Sequence, residues 1–280
     1  MPVNDELGMR MKTYYEEIPK VKLMRRTPVI IRIDGKAFHT FTRGFEKPFD
    51  KVLTKAMQET TKYLCENIQG CVFGYTQSDE ISLVLVDYKK LNSSAWFDYE
   101  LQKMCSIAAS MTTMAFNRFF TQYYKEWYME AFASKYNNID KIAASDIALN
   151  QTYMKAIEKG AMFDARCFNI PKEEVTNCIY WRQLDATRNS IQMIGQANFS
   201  HNELQGKTCN MIQEMLMTEK GINWNDLPAY LKRGTAVTKE ECFLESKGMR
   251  TRWIIDLNMP QLKGEDRDYI ERLIKVWQEQ

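Results

Sequence analysis

The apolar positions of this chain fall into runs with two different periods. Val29 to Ile33 is a block of β-branched residues and reads as a buried strand, closed by the turn signal Asp34-Gly35. Alternation along a strand puts Arg32 and Asp34 on one face. Asp50 can cap a helix whose Leu53, Met57 and Leu64 share a face. Cys71 to Tyr75 and Ile81 to Val86 are two further short strands. Only Gln77-Ser-Asp-Glu80 stands near their junction, so they form a hairpin. If the first two strands are neighbours, Asp34 and Asp79 come to lie side by side.

Beyond the hairpin, residues 87–94 are polar and aperiodic, a loop. From about residue 97 to 124 the stripe Leu101, Cys105, Ala108, Met111, Ala115, Phe119 has helical spacing, with Lys103 off the stripe and able to reach towards the strand ends. Residues 127–153 read as mostly helical, and 161–168 as a fourth strand. Pro171 then opens a helix to about Gly195, on which Arg182, Asp185, Asn189, Gln192 and Gln196 share a face. Residues 207–217 form another helix, 235–238 a short strand, 249–257 an outer strand. From 266 to 278 comes a terminal helix with Tyr269, Leu273 and Val276 inward. At the other end, 4–17 is a short helix expected to pack on the core through Leu7, Met11, Tyr14 and Tyr15. The order strand, helix, strand, strand, helix, strand predicts an α+β fold: an antiparallel or mixed sheet with helices on one face and additional C-terminal helices. Residues 1–240 form the main domain and 241–280 an extension packed on it.

Composition narrows the picture. The 280 residues are 45% hydrophobic, enough for a substantial core, and the net charge of +2 does not by itself announce a nucleic-acid binder. Basic runs at Lys20–Arg26 and Lys232-Arg233 are ordinary solvated surface unless something else recruits them. Seven cysteines without CxxC spacing, and two histidines, argue against a zinc site. The odd cysteine count without a signal peptide points to a reducing cytoplasm, and no apolar run is long enough to cross a membrane.

Taken singly, Asp-Gly and Ser-Asp are turn formers. Taken together at the ends of neighbouring strands, Asp34 and Asp79 suggest a cation site, because juxtaposed carboxylates repel unless a cation lies between them. Hard oxygen ligands suit Mg²⁺, and two such ions can serve the attacking and leaving oxygens of a nucleotidyl transfer. The loop after Asp34, with Lys36 and His39, and Lys47 before the first long helix can approach a nucleotide and its phosphates.

The motifs Leu7-Gly-Met-Arg-Met-Lys12, Arg32-Ile-Asp-Gly35 with His39-Thr-Phe41, Gln77-Ser-Asp-Glu80, Phe163-Asp-Ala-Arg166, Trp181 through Ser190 and Lys232-Arg-Gly-Thr235, in this order, resemble the tRNA-His guanylyltransferase family. The resemblance is closest to its bacterial and archaeal branch of 3′–5′ polymerases and runs from about residue 5 to about residue 240. It implies a palm-like sheet on which Asp34, Asp79 and Glu80 are catalytic. Asp34, the Gly35 carbonyl and Asp79 would hold two Mg²⁺ ions. Residues Asp34, Gly35, Lys36, Ala37, Phe38, His39, Lys47, Ser78, Asp79, Lys103 and Asn189 would contact the nucleotide, with ATP and GTP or other nucleoside triphosphates as substrates. Arg182, Arg188, Lys232 and Arg233 would meet tRNA, and the assembly implied is a homotetramer. Where the eukaryotic enzymes carry His-Ile-Asn-Asn, this chain has Thr187-Arg-Asn-Ser190; after Trp96-Phe97 it has Asp98 and Glu100 where they are basic. Both differences fit template-dependent repair of tRNA 5′ ends, through ATP activation of a 5′-monophosphate, over addition of a single G to tRNA-His. A nucleotide cyclase would need a glycine-rich hairpin, which Gln77-Ser-Asp-Glu80 is not, and a non-catalytic tRNA-binding protein has no use for clustered carboxylates.

Overall fold

In the computed structural model, residues 5–132, 143–244 and 248–275 are described. The strands are β1 (Val29–Gly35), β2 (Cys71–Gln77), β3 (Glu80–Leu85), β4 (Phe163–Asn169), β5 (Thr235–Leu244) and β6 (Gly248–Asp256). The helices are α1 (Glu6–Met11), α2 (Phe38–Phe41), α3 (Lys51–Asn67), α4 (Leu101–Phe132), α5 (Ala144–Lys159), α6 (Lys172–Asn198), α7 (His201–Leu204), α8 (Cys209–Lys220), α9 (Ala229–Arg233) and α10 (Asp268–Ile274). The six strands form one sheet in the order β4-β1-β3-β2-β5-β6, with every pairing antiparallel.

This is the expected α+β, palm-like arrangement. Strands one and two are not neighbours, however: β3 lies between them. The register still brings the acidic ends together, because Asp34 stands opposite Glu80 on β3 and opposite Asp164 on β4. Helices also lie on both faces of the sheet. On one face Ile31, Ile33, Ile81 and Leu83 pack with α3 and α4 through Ala56, Met57, Leu64, Met104, Ala108 and Phe116. On the other, Ile30, Phe73, Tyr75 and Val84 are sealed by Val175 and Ile179 of α6 and by Ile270 and Ile274 of α10. All six residues of β3 are buried, the polar Glu80 and Ser82 among them, because both faces of the sheet are covered.

The boundary expected at 240 falls inside β5, and the residues after it pack into the second core through Met259, Leu262, Ile270 and Ile274. Gln183 stitches that extension to α6, donating to the Pro260 carbonyl at 2.9 Å and accepting from the Leu262 amide at 3.1 Å. In α10, Tyr269 and Leu273 are partly buried beside the fully inward Ile270 and Ile274; Val276 lies outside the described residues. The buried stripe of α4 is rotated slightly from the expected one, with Met104, Thr112, Phe116 and Phe120 joining Ala108 and Ala115 inside. The N-terminal segment is a correction. Leu7 in α1 and Tyr14 and Tyr15 in the turn after it are 64%, 63% and 66% exposed, so this segment does not dock on the core. Its apolar residues stand among charged ones, and none of them is buried.

Candidate active site

Two loops build the site, each anchored by the core. After Gly35 the chain turns through Ala37, whose φ of 52° is left-handed, into α2. That conformation costs a non-glycine residue roughly 1–3 kcal/mol and is held in place by the packing of α2. Phe38 and Phe41 plunge into an aromatic cluster, with Phe38 5.1 Å from Phe163 and 5.6 Å from Phe116 between ring centroids. Gly35 has to be glycine because a Cβ there would sit 2.1 Å from the Phe38 ring. The second loop is the tight β2–β3 turn, where Gln77 pairs with Glu80 and Ser78 takes a positive φ of 51°. Thr76 braces it from inside, donating its hydroxyl to the Glu80 carbonyl at 2.9 Å. Both loops that carry the expected carboxylates thus contain a non-glycine residue in a strained backbone state.

Between them lies a cleft of about 510 Å³, within the range of nucleotide-sized pockets. Asp34, Gly35, Ala37, Phe38, His39, Lys47, Ser78 and Asp79 all line it, so most of the nucleotide-contact residues expected from sequence meet in one place. Among the described residues Asp34 and Asp79 have no cationic partner. Burial pushes the Asp79 carboxyl above its usual range; the Ser78 hydroxyl, donating at 3.0 Å, opposes the shift, and the negative charge of Asp34 adds to it. A smaller cavity of about 100 Å³ adjoins the cleft, sharing Asp50, Leu53, Ser78 and Met193 with it, and Asn189 is on its wall.

Glu80 faces elsewhere. Its Oε1 is 2.6 Å from Nε of Arg182, and both side chains are 9% exposed. The Arg182 guanidinium also donates to Asp185 at 2.7 Å, and Asp185 takes a further ion pair from the exposed Arg188. Burial raises the Glu80 pKa, with Arg182 and Arg32 acting in the other direction. Arg182, expected at an RNA surface, is therefore a buried counter-ion. Lys36 is exposed outside the cleft, its amide bonded to the Met162 carbonyl at 2.9 Å. Lys103 is not brought to the cleft either: its ammonium lies 4.9 Å from the Phe97 ring centroid. It is ten residues, roughly 15 Å along the helix, from Thr113, which bonds Phe163 at the acidic end of the sheet. Lys232 is half-buried and donates to the Asn225 carbonyl at 2.5 Å, and the Arg233 carbonyl accepts from Tyr75 at 2.6 Å.

Sequence reasoning passed over Asp50 as more than a cap. It accepts from the amides of Leu53 at 2.8 Å and Glu46 at 3.0 Å and from the Tyr153 hydroxyl at 2.6 Å, while its residue lines both cavities. Asp164 was also missed; it stands beside Asp34 in register but is exposed and pairs with Arg166 at 3.5 Å. Among the described residues no three acidic, histidine or cysteine side chains converge as a metal cage. Two carboxylates and a carbonyl on a cleft fit a hard cation that takes its remaining ligands from water and phosphate. No helix among the described residues is long and apolar enough to cross a membrane.

A palm-like sheet with two uncompensated carboxylates at the tips of its central strands is the architecture of a nucleotidyl-transferring enzyme. The chain belongs to the tRNAHis guanylyltransferase family, whose model matches residues 8–171, and it is a nucleotidyltransferase. A bacterial tRNA(His) guanylyltransferase-like protein solved in complex with ATP is 40% identical with a TM-score of 0.75, over 96% of this chain and 99% of that one. A structure of such a protein in complex with GTP is 38% identical with a TM-score of 0.71, over 97% and 100%. The tRNA(His) guanylyltransferase of Saccharomyces cerevisiae is 27% identical over 226 residues, 76% of this chain and 82% of the yeast protein.

Proposed function

We propose that this enzyme adds nucleotides in the 3′–5′ direction to tRNA 5′ ends, choosing them by pairing with the opposite strand and so repairing truncated ends. ATP would first adenylylate a 5′-monophosphate end, releasing pyrophosphate; the 3′-hydroxyl of the incoming nucleotide would then attack the activated 5′ phosphate and displace AMP. The observation that carries this reading is the meeting of Asp34, Asp79, Lys47 and His39 on one nucleotide-sized cleft.

In this reading Asp34, Asp79 and the Gly35 carbonyl hold two Mg²⁺ ions. When bound, these would lower the pKa of the attacking hydroxyl and offset charge on the phosphates. The chain does the rest by placement. Ser78 fixes the Asp79 carboxylate through its hydroxyl. Lys47 supplies a point charge at the phosphate side of the cleft. Asn189 offers an amide from the adjoining cavity, where an incoming base or sugar edge can be read. Glu80 is held by Arg182 and acts on the geometry of the turn. The ligands named for the two bacterial relatives, ATP and GTP, support the nucleotide part of this reading.

Addition of one G to tRNA-His is the second reading, favoured by the name of the yeast relative. Thr187-Arg-Asn-Ser190 in α6 favours the first. The test is an addition assay with Mg²⁺, ATP and all four nucleoside triphosphates on two 5′-labelled RNAs. One is tRNA-His lacking its extra G; the other is a tRNA truncated at its 5′ end. Template-matched extension of the truncated tRNA, faster than G addition, is the expected result. Preference for a single G on tRNA-His would overturn the repair reading.

A further inference from the structure

A second cavity opens beside the cleft, and no residue confined to it has a part in the nucleotide chemistry. It measures about 540 Å³ and lies where α6 gives way to α7 and the turn before α8. It shares Lys47 and Gln196 with the cleft, so the two spaces meet at a common rim. Lys47 and Lys207 bring its cationic groups, His201 an imidazole, and Gln192, Gln196 and Gln205 bring amides. No lining residue is acidic. The nearest carboxylate of the segment, Glu203, is turned away, accepting from the Ser200 amide at 2.7 Å in a capping box. Among the described residues Lys47, His201 and Lys207 have no ion-pair partner. The chain has two histidines, and each lines one of these adjoining cavities: His39 the cleft, His201 the groove.

We propose that this groove binds the sugar-phosphate backbone of the RNA end being extended, next to the nucleotide in the cleft. The proposal rests on the tRNA-end reading of the active site. A reaction that joins two polyanions needs two adjacent anion-tolerant spaces, and a cleft of about 510 Å³ has room for one nucleotide. Lysine and amide side chains without carboxylates suit phosphate and ribose oxygens and carry no base preference. That suits a substrate whose sequence is read by pairing. The rows of α6 explain the placement: Asn189 faces the small cavity, and one and two turns later Gln192 and Gln196 face the groove, so a single helix spans both spaces. Lys47, at the rim, stands between the phosphates of the two substrates.

The shared chemistry, nucleotide phosphate, could also come from a second free nucleoside triphosphate, and the experiment separates the two. Binding of a 3′-fluorescein-labelled tRNA to the full chain is followed by anisotropy from 50 to 200 mM KCl. ATP binding is followed in parallel with a fluorescent ATP analogue. The variants are Lys207→Glu and His201→Glu, with Lys90→Glu, in the loop at the opposite end of β3, as a control for net charge. All three positions are exposed, so the fold is retained. Lys207→Glu should weaken tRNA about five- to tenfold near 0.1 M salt, the worth of one released counterion. It should also reduce the salt slope by about 1 and leave ATP binding unchanged. Lys90→Glu should leave tRNA affinity and slope near wild type. Equal loss in the groove variants and the control would overturn the proposal, as would unchanged tRNA affinity in the groove variants. Weakened ATP binding with unchanged tRNA binding would assign the groove to a free nucleotide and overturn it too. A wild-type chain that extends RNA while the groove variants bind RNA normally would defeat the groove alone. A wild-type chain that neither binds nor extends tRNA would defeat the functional reading together with it.

Discussion

The two sides of the β2–β3 turn hold neighbouring carboxylates in opposite states. On the cleft side, Asp79 and Asp34 line one open space without an ion-pair partner among the described residues, and burial and the charge of Asp34 act against the ionised form of Asp79. On the α6 side, Glu80 is closed off by Arg182, which is itself held by Asp185. One residue of chain separates a charge left for a ligand to balance from one the fold balances itself. The difference marks function: a stability-driven design would pair Asp79 as it pairs Glu80. It also separates two roles that the sequence presents as one acidic motif.

The largest expected effect comes from breaking the unbalanced side. Asp79→Asn should lower turnover roughly a thousandfold, the scale on which removal of a preorganised electrostatic group acts. The same change should stabilise the chain in metal-free buffer. The sign follows from the direction of the shift: a carboxyl whose folded pKa lies above its unfolded value holds its proton more tightly in the folded state. Its penalty is absent below the ordinary Asp range and grows as pH rises through the folded pKa. Urea titrations in EDTA should therefore show the variant more stable than wild type at pH 7 and equal to it near pH 3. Added Mg²⁺ should raise the wild-type midpoint and leave that of the variant nearly still. A variant less stable than wild type at pH 7 in EDTA would refute the picture of an uncompensated charge.

Next comes the balanced side. Arg182→Met leaves Glu80 buried without a partner, and loss of one member of a buried pair costs about 3–5 kcal/mol. Adding Glu80→Gln should recover a large part of that loss, because the stranded charge disappears with it. Denaturation midpoints of the two single variants and the double give the coupling directly. Additive losses would mean that Arg182 acts by packing over Trp181, whose ring it approaches to 4.4 Å, more than by pairing.

The strands, the hairpin and most of the cleft were legible in the chain because they rest on local signals: β-branched blocks, a four-residue connection, Asp50 ahead of a helical stripe. The Asp34-to-His39 loop and Ser78-Asp79 were found as motifs, and the register brought them to one cleft. What was not legible depended on which elements become neighbours. The insertion of β3 between β1 and β2 is a choice of pairing that periodicity does not encode. The polar face of α6 could be drawn correctly from its spacing, yet spacing does not tell which end of that face is covered. Arg182 is buried there while Gln192 and Gln196 are exposed. The same limit misplaced the N-terminal segment, whose Leu7, Tyr14 and Tyr15 look like docking residues and lie in the open.

Asp185 offers the finest test of the comparison, because it takes one arginine from each environment. Arg182 reaches it from a side chain 9% exposed, Arg188 from one 60% exposed. Water and salt screen the second pair, and an exposed pair of this kind is worth between nothing and about 1 kcal/mol. Arg188→Ala should therefore move the denaturation midpoint by no more than about 0.5 kcal/mol, as expected for surface positions. Any larger consequence should appear in the reaction, as a raised KM for tRNA with kcat unchanged, if the outward guanidinium meets RNA backbone. Should stability fall as far as in Arg182→Met, Asp185 would be a hub holding both arginines. The boundary between protein-balanced and ligand-balanced charge would then lie one helical turn further along α6.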